Sequence, residues 1–349
     1  MSQPITIALD AMGGDHGPAV VLEGADMARR RFPGMNFLLF GDQAQLNVLL
    51  ERKAELASIS TVHHTDVAIE SDAKPSVALR QGRNSSMRLA IQAVRDGTAQ
   101  GVVSAGNTGA LMAMSKIVLK TLPGIHRPAL ATIFPTKRGE TVVLDVGANA
   151  ECTAENLVQF AVMGEVFART VIGVVKPTVG LLNIGIEINK GNETVRNAAK
   201  LLDEGNLPMV FHGFIEGGDI TAGTVDVAVT DGFTGNIALK TAEGTALLIA
   251  EYLRAAFKQS LMSRLGYLLA RPALDEMRAR VDPRHYNGAV FLGLNGIAVK
   301  SHGGTDALGF SNAIGVAINM AAKGFNDKVI AELNQWHTDH VATEKAVTI

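Results

Sequence analysis

One pattern recurs six times along the chain: a short run of apolar, often β-branched residues, a loop rich in Gly, Asn, Asp, Ser or Thr, and then a helical pattern. The six runs with their loops are ITIAL–DAMGGDHG, GVVSA–GNTG, TVVLDV–GANAECT, VGLLNI–GIEINKGNE, VDVAVT–DGFTGN and GIAVKS–HGGTDALG. Alternating strands and helices indicate βαβ units, in which helices cover a largely parallel sheet. The pattern therefore predicts an α/β fold whose loops lie at the carboxyl ends of strands, where open α/β sheets bind ligands.

Composition narrows the class of protein further. The 349 residues are 47% hydrophobic and 19% charged, as in a folded chain, and the formal net charge of −2 argues against a general nucleic-acid binder. Cys152 is the single cysteine, so a disulfide within the chain is excluded and a reducing cytosol is expected. No Cys/His cluster has zinc spacing, and no apolar run is long enough to span a membrane. We expect a cytoplasmic protein with no metal and no nucleic-acid partner.

The organisation of the chain favours one unit. No exact repeat, low-complexity tract or clear linker interrupts it, and we predict one domain over residues 1–345. Whether this domain forms two lobes around a cleft is not decided by the sequence. Pro18 is expected to open the first helix, and Thr153 is expected to cap the third. A further helix is expected after about Lys323.

The six loops together predict an anion site. Helix N-termini present unpaired N–H groups and a partial positive charge, and glycines let the backbone approach an oxyanion closely. Ordinary turn chemistry explains any one loop, whereas several loops converging on one cleft favour a site for phosphate or another small anion. No nucleotide-binding fingerprint fits. The candidate binding residues are Asp10, Gly13, Gly14, Asp15, His16, Gly106, Asn107, Thr108, Gly147, Asn149, Asp231, Thr234, Gly235 and His302.

Two side chains in these loops are candidates for catalysis. Lys190, between Gly185 and Gly191, is suited to binding an anion or stabilising a developing oxyanion. The alternative is that this lysine is simply exposed to solvent. Asn236 can donate to an oxyanion, with helix capping as the alternative. His16 and His302 are possible proton carriers that equally suit a structural role. Cys152 lacks a histidine nearby in sequence and is a poor candidate nucleophile.

Six motifs bring these observations together: DAMGGDHGP, SAGNTGALM, LDVGAN, LLNIG with KGNE, VTDGFTGNIALKT, and LGLNG with VKSHGGTDA. In this order they resemble the bacterial phosphate acyltransferase family of phospholipid synthesis, over about residues 5–325. The resemblance implies a homodimeric three-layer α/β/α sandwich with a largely parallel sheet, like phosphotransacetylases and the isocitrate/isopropylmalate dehydrogenase group. Its functionally important Lys and Asn fall on Lys190 and Asn236.

The resemblance also implies a reaction and its partners. A long-chain fatty acyl group passes from the phosphopantetheine thioester of acyl carrier protein to inorganic phosphate, and the acyl phosphate then serves a glycerol-3-phosphate acyltransferase. No cofactor, metal or nucleotide is expected. Direct attack by phosphate, without an acyl-enzyme, fits the lack of a visible catalytic triad. The family resemblance further implies peripheral association with the membrane surface.

A basic segment at residues 254–284 is the second informative region. It holds seven Lys or Arg and three Asp or Glu, with apolar residues at helical spacing among the cations. Such a segment suits an acidic carrier protein or an anionic membrane, with a dimer-packing helix pair as the alternative. The candidate contact residues are Arg254, Lys258, Leu261, Met262, Arg264, Leu265, Leu268, Leu269 and Arg271.

Three other functions share some of these features. A decarboxylating dehydrogenase of the isopropylmalate type would share the fold, but it needs a divalent metal and a nicotinamide cofactor. A non-catalytic carrier-protein or membrane-binding module would need the basic segment but not the polar loops. A short-chain phosphotransacetylase that uses coenzyme A would differ only in its substrate.

Overall fold

The computed structural model describes residues 4–205, 207 and 209–335, so the last ten residues of the expected domain, 336–345, lie outside the described residues. The strands are β1 Thr6–Asp10, β2 Asn36–Gly41, β3 Ser60–His64, β4 Gly101–Ser104, β5 Ala129–Thr136, β6 Gly139–Leu144, β7 Thr178–Leu182, β8 Val210–Ile215, β9 Val227–Val229, β10 Ala289–Leu292 and β11 Ile297–Lys300. The helices are α1 Gly17–Arg31, α2 Gln43–Leu50, α3 Ala54–Ala57, α4 Pro75–Gln81, α5 Ser86–Arg95, α6 Thr108–Leu119, α7 Ala154–Phe167, α8 Glu193–Glu204, α9 Gly217–Ala222, α10 Gly232–Lys258, α11 Leu261–Val281 and α12 Ala307–Ala322.

In the described part of the chain, the strands form a single eleven-stranded sheet of order β3-β2-β1-β4-β11-β10-β5-β6-β9-β7-β8. Seven of its ten neighbouring pairs are parallel, as the sequence predicts. The three central pairs, β11–β10, β10–β5 and β5–β6, are antiparallel. Because three successive reversals leave β6 opposite to β11, the two parallel halves of the sheet run in opposite directions. The sequence pattern did not predict this reversal.

All six predicted strand–loop–helix units are present, as β1–α1, β4–α6, β6–α7, β7–α8, β9–α10 and β11–α12. Pro18 lies in the first turn of α1, as predicted. The Thr153 side chain accepts a hydrogen bond from the backbone N–H of Asn156 at the start of α7, so its predicted role as an N-cap is confirmed. Residues 325–335 are helical, in agreement with the helix expected after Lys323.

Apolar side chains cover both faces of the sheet. Along β1, Ile7 and Leu9 belong to a core cluster that includes residues of α1, α7 and α12. Ala8, which points to the other face, belongs to a second cluster with residues of α5 and α6. The fold is therefore a mixed α/β fold around one large sheet. The three-layer sandwich implied by the resemblance stays a prediction.

Two long helices contribute little to this core. In α10, only Gly232 and Gly235, both in the first turn, are buried, and none of the α11 residues is buried. The Phe257 and Tyr267 rings meet edge to face at 5.3 Å between centroids, which joins the two helices. We call α10 from Leu247 onward, together with α11, the helix pair.

Candidate active site

The loops after β1, β4 and β11 surround a cavity of about 370 Å³, which we call the anion cavity. Its lining consists of residues 12, 14, 15, 68–71, 105–108, 300 and 303. These three strands are neighbours in the sheet and run parallel, so their carboxyl ends meet at one place. The structure thus brings together the predicted binding residues of the first, second and sixth loops.

Glycines allow the backbone to close around this cavity. A Cβ on Gly13 would lie 2.6 Å from Oδ2 of Asp10 and 2.7 Å from the amide nitrogen of Gly106, so no other residue fits there. Gly14 has φ +95° and sits against Ala105, and the N–H of Asp15 donates to the carbonyl of Gly303 at 3.0 Å. The first and sixth loops are therefore fixed to each other by their backbones.

Asp10 helps to fix the loop after β4, which lines the cavity. Its carboxyl is buried and accepts hydrogen bonds of 2.6 Å from the hydroxyls of Ser86 and Ser104. Burial raises the pKa of the Asp10 carboxyl, while the two serine hydrogen bonds and the charge of Lys300 oppose that rise. The Ser104 hydroxyl in turn accepts from the N–H of Gly106 at 3.0 Å. Asp10 thereby orients the second loop rather than capping a helix.

Lys300 is the charged group that sequence reasoning missed. It is the last residue of β11, is only 9% exposed, and lines the anion cavity. Its ammonium donates to the carbonyl of Ala105 at 3.1 Å and to the carbonyl of Ser301, and no carboxylate among the described residues forms an ion pair with it. Burial lowers the pKa of Lys300 to about 8, against the opposing charges of Asp10 and Asp15.

Four further predicted residues lie on these loops, and two of them, Asn107 and Thr108, line the cavity. Asn107 caps α6 by accepting from the N–H of Ala110 at 2.8 Å, and Thr108 opens the helix, so its N-terminus faces the cavity. His16 and His302 are both exposed. Nδ1 of His302 accepts from the N–H of Gly304 at 3.2 Å, which gives this histidine a role in holding its loop.

The loops after β6, β7 and β9 form a second group, which we call the distal loops, residues 145–153, 183–192 and 230–236. Asp145 organises the first of them. Its buried carboxylate accepts backbone N–H groups of Leu130, Gly147, Ala148 and Asn149, at 2.7 to 3.0 Å. The side-chain amide of Asn149 donates to Asp145 at 2.8 Å, so both groups are structural.

The start of α10 packs onto this loop. Asp231 caps the helix by accepting from the N–H and hydroxyl of Thr234, at 2.8 and 2.9 Å. A Cβ on Gly235 would lie 1.9 Å from the Asp145 carbonyl oxygen, which makes glycine obligatory there. Since Asp231 is the cap, Asn236 is free of that role. Its amide donates to the carbonyl of Val146 at 3.2 Å, beside Gly147.

Lys190 lies in the exposed part of the distal loops. Its backbone N–H donates to the carbonyl of Glu187 at 3.0 Å, and its side chain is exposed. Ile184, Ile186 and Ile188 in the same loop are 80, 68 and 89% exposed. Neighbouring apolar side chains this open to solvent form a surface suited to contact with another molecule.

Because the two halves of the sheet run in opposite directions, the loops of the anion cavity and the distal loops leave the sheet in opposite directions. Lys300 pairs with Ala289 of β10, and Leu144 is level, through Ala131, with the next residue of that strand. The two sets of strands therefore end at nearly the same level of the sheet. The expectation that all six loops converge on one cleft stays a prediction. Each half of the sheet brings three of the loops together at the carboxyl ends of its own strands.

Two other expectations concern nucleophiles and metals. Burial and the charges of Asp145 and Asp231 raise the pKa of the Cys152 thiol to about 11, so it is protonated at neutral pH and unsuited to nucleophilic attack. In the part of the chain that the structure describes, no group of three or more His, Cys, Asp or Glu side chains is placed to hold a metal ion.

The predicted contact surface on the basic segment lies in the helix pair. The five apolar candidates are strongly exposed, with Leu261 at 81% and Leu269 at 77%. The four basic candidates, Arg254, Lys258, Arg264 and Arg271, are exposed as well. The helical spacing inferred from the sequence is confirmed by α11.

Comparison with known proteins identifies the family. A family model described as "Fatty acid synthesis protein" matches residues 5–328. The chain is 63% identical to a phosphate acyltransferase of Rhodospirillum centenum over 333 residues, which are 95% of this chain and 94% of the relative. The chain belongs to the phosphate acyltransferase family. A phosphate acyltransferase of Rhodospirillum rubrum is 60% identical over 95% of both chains.

Solved structures support the fold of this phosphate acyltransferase family member. A phosphotransacetylase from Streptococcus pyogenes superposes with a TM-score of 0.61, at 17% identity, over 92% of this chain and 95% of that one. The EutD phosphotransacetylase from Staphylococcus aureus gives a TM-score of 0.57, also at 17% identity, over 91% and 94% of the two chains. At this identity the likeness concerns the fold alone. By its family, the protein is an acyltransferase.

Proposed function

We propose that this enzyme reversibly transfers a long-chain fatty acyl group from the thioester of acyl carrier protein to inorganic phosphate. The product, an acyl phosphate, serves a glycerol-3-phosphate acyltransferase in phospholipid synthesis. The observation that carries the proposal is the anion cavity, where a buried lysine, two glycine loops and a helix N-terminus converge. Family membership supplies the acyl transfer, and this cavity supplies a place for the phosphate.

The cavity offers phosphate one buried positive charge and several donors, beside the carboxylates of Asp15 and Glu70 in its lining. The Lys300 ammonium provides a buried positive charge, and the N-terminus of α6 adds a partial one. The backbone at Gly14 allows close approach because this residue carries no side chain, whereas the N–H of Gly106 already donates to Ser104. A desolvated phosphate held in this way is positioned to attack a carbonyl carbon about 3–3.5 Å away.

The reaction needs no oxidant, metal or covalent enzyme intermediate. A phosphate oxygen forms a bond to the thioester carbon, the carbonyl oxygen becomes an oxyanion, and the carbon–sulfur bond then breaks. The electron pair leaves with sulfur, which takes up a proton to give the free thiol of the carrier. Lys190 and the Asn236 amide are the proposed donors to charge that develops in this transition state.

A second copy of the chain is the proposed source of those donors. The loops that carry Lys190 and Asn236 leave the sheet in the opposite direction from the loops of the anion cavity of their own chain. The exposed Ile184 and Ile188, beside Lys190, suit burial against a partner. The cavity's acidic lining residues, Asp15 and Glu70, complement the charge of Lys190. The proposed homodimer therefore shares each active site between two chains.

The reaction itself is tested by thiol release. With long-chain acyl-ACP, wild-type enzyme is expected to release thiol only when inorganic phosphate is present, because phosphate is the nucleophile. Acetyl-CoA, tested at the same concentration, separates this reaction from that of a short-chain phosphotransacetylase. Release without phosphate, or an acylated protein detected by mass spectrometry in its absence, would contradict direct transfer.

The helix pair is the proposed contact for the carrier protein or the membrane, and the protein is proposed to be cytoplasmic and peripherally bound. None of the helices in the described residues is long and apolar enough to cross a bilayer. The exposed leucines of α11, flanked by arginines, instead suit the boundary between lipid headgroups and acyl chains.

Acidic substitutions on α11 test this surface. Leu265→Asp with Leu269→Asp is expected to weaken cosedimentation with anionic vesicles by about 10-fold or more, because apolar burial is lost and charge repulsion is added. Val175→Asp, at a residue 91% exposed outside the helix pair, is the matched control. A raised KM for acyl-ACP with unchanged vesicle binding would assign the surface to the carrier. Conversion of a dimer to a monomer would assign it to subunit packing.

A further inference from the structure

A second cavity, of about 490 Å³, lies outside the anion cavity and is not used by the proposed reaction. It is formed by the end of α4, the start of α5 and the outer side of α6. Arg83, Arg88, Asn84 and Gln92 supply its polar lining, and Leu79 and Ile117 supply its apolar lining. We call it the arginine cavity.

The two arginines have no partner for their charge. No hydrogen bond or ion pair joins either guanidinium to another described residue, whereas Arg95, at the end of the same helix, pairs with Asp96 at 2.8 Å. Nε of Arg88 is buried and unpaired. Burial, together with the like charges of Arg95 and Arg83, lowers the pKa of Arg88. A buried N–H donor with uncompensated positive charge around it is costly unless an anion binds.

The linings of the arginine cavity and the anion cavity share no residue, but packing contacts link them. Ile69 belongs to the lining of the anion cavity, and a Cβ on Gly82 would lie 2.4 Å from its terminal methyl group. Gly82 directly precedes Arg83. Helix α6 also borders both cavities, with Thr108 in one lining and Ile117 in the other, about 14 Å apart along the helix.

We propose that Arg83 and Arg88 form an oxyanion site that binds a phosphate group. Guanidinium groups bind phosphate through paired, charge-assisted hydrogen bonds, and the two amides of the lining can add further donors. Two sources offer this chemistry: free inorganic phosphate, and the phosphate at the end of a pantetheine arm whose sulfur carries the acyl group. The second source rests on the proposed function, because the arm would then extend from this site to the anion cavity, where its acyl end reacts.

Binding is measured without turnover, so that its outcome is independent of the proposed reaction. Calorimetry compares 4′-phosphopantetheine, pantetheine without the phosphate, and inorganic phosphate, on wild type and on Arg83→Gln with Arg88→Gln. We expect wild type to bind the phosphorylated arm about 10-fold or more tightly than pantetheine, and the double variant to lose this preference. Arg95→Gln, on the same helix but outside the cavity, is the control and should keep it.

The outcomes separate the two sources. A preference for 4′-phosphopantetheine that the double variant loses assigns the site to the arm. Weaker binding of inorganic phosphate in the double variant, without any preference between the two arms in wild type, supports the oxyanion site with free phosphate as its source. Unchanged binding of all three probes overturns the proposal. If the double variant fails to fold, the exposed Arg83→Gln alone is measured in the same way.

Discussion

Lys300→Met is expected to lower phosphate-dependent thiol release by about 100-fold or more, because it removes a buried positive charge from the place proposed for phosphate. Methionine keeps the length of the side chain and suits a buried position, so the cavity wall is preserved. The measurement is kcat/KM for phosphate with long-chain acyl-ACP. Lys176→Met, at an exposed lysine outside both cavities, is the control. Unchanged activity in a folded Lys300→Met protein would remove this lysine from the reaction.

The pH dependence gives an independent test of the same residue. The pKa of Lys300 is lowered to about 8, so the ammonium is charged below that pH and neutral above it. In wild type, kcat/KM for phosphate is therefore expected to fall as the pH rises through about 8, since this ratio reports the free enzyme. The residual activity of Lys300→Met should lack this decline. A decline of the same size in both proteins would assign it to another group.

Mixing two inactive variants is expected to restore activity, because each proposed site combines one chain's cavity with the other chain's Lys190. Lys190→Ala and Lys300→Met homodimers should each be nearly inactive. When the chains exchange at equal concentration, half of the dimers are mixed and one of their two sites is intact. The mixture should therefore recover about one quarter of wild-type activity.

The mixing experiment has a control mixture, and one outcome would contradict the shared site. A chain that carries both substitutions, mixed with Lys190→Ala, has no intact combination and should recover nothing. Mixed dimers isolated with two affinity tags prove that exchange occurred. If those isolated dimers stay inactive while wild type releases thiol in the same assay, the site lies within one chain and the shared arrangement is wrong.

Local features of the fold could be predicted from the sequence. The six strand–loop–helix units and the cap at Thr153 depend on residues within a few positions of each other, so the pattern of apolar and turn residues is enough to find them. The glycine at 235 and the acid at 231 were likewise visible as loop residues. Their roles in packing and capping needed only the start of α10 and its neighbouring loop.

Features that depend on distant residues could not be predicted. Strands β5 and β6 pair antiparallel. The sequence pattern did not predict this, because a run of apolar residues indicates a strand but not the direction of the strand beside it. In the sequence, Lys300 looks like the polar end of a strand. In the structure it is buried, and its ammonium donates to the carbonyl of Ala105, 195 residues away in the chain. The hydrogen bond between Ser86 and Asp10 spans 76 residues. The prediction of a largely parallel sheet did not include the three antiparallel pairs, which make the loops of the two halves leave the sheet in opposite directions.

Helix α10 is one continuous helix that links the loop before Asn236 to the exposed helix pair. It begins at the Asp231 cap, carries Asn236 in its second turn, and reaches Lys258 about 33 Å further on without a break. Because the contacts of α10 with the core end at Ala242, a tilt of about 5° there displaces Lys258, about 24 Å further on, by about 2 Å. Conversely, a molecule bound at the far end of α10 would restrict this tilt, and with it the direction in which the Asn236 amide points. If Asn236 acts as proposed, contact at the helix pair and the position of a catalytic donor are therefore linked through one helix.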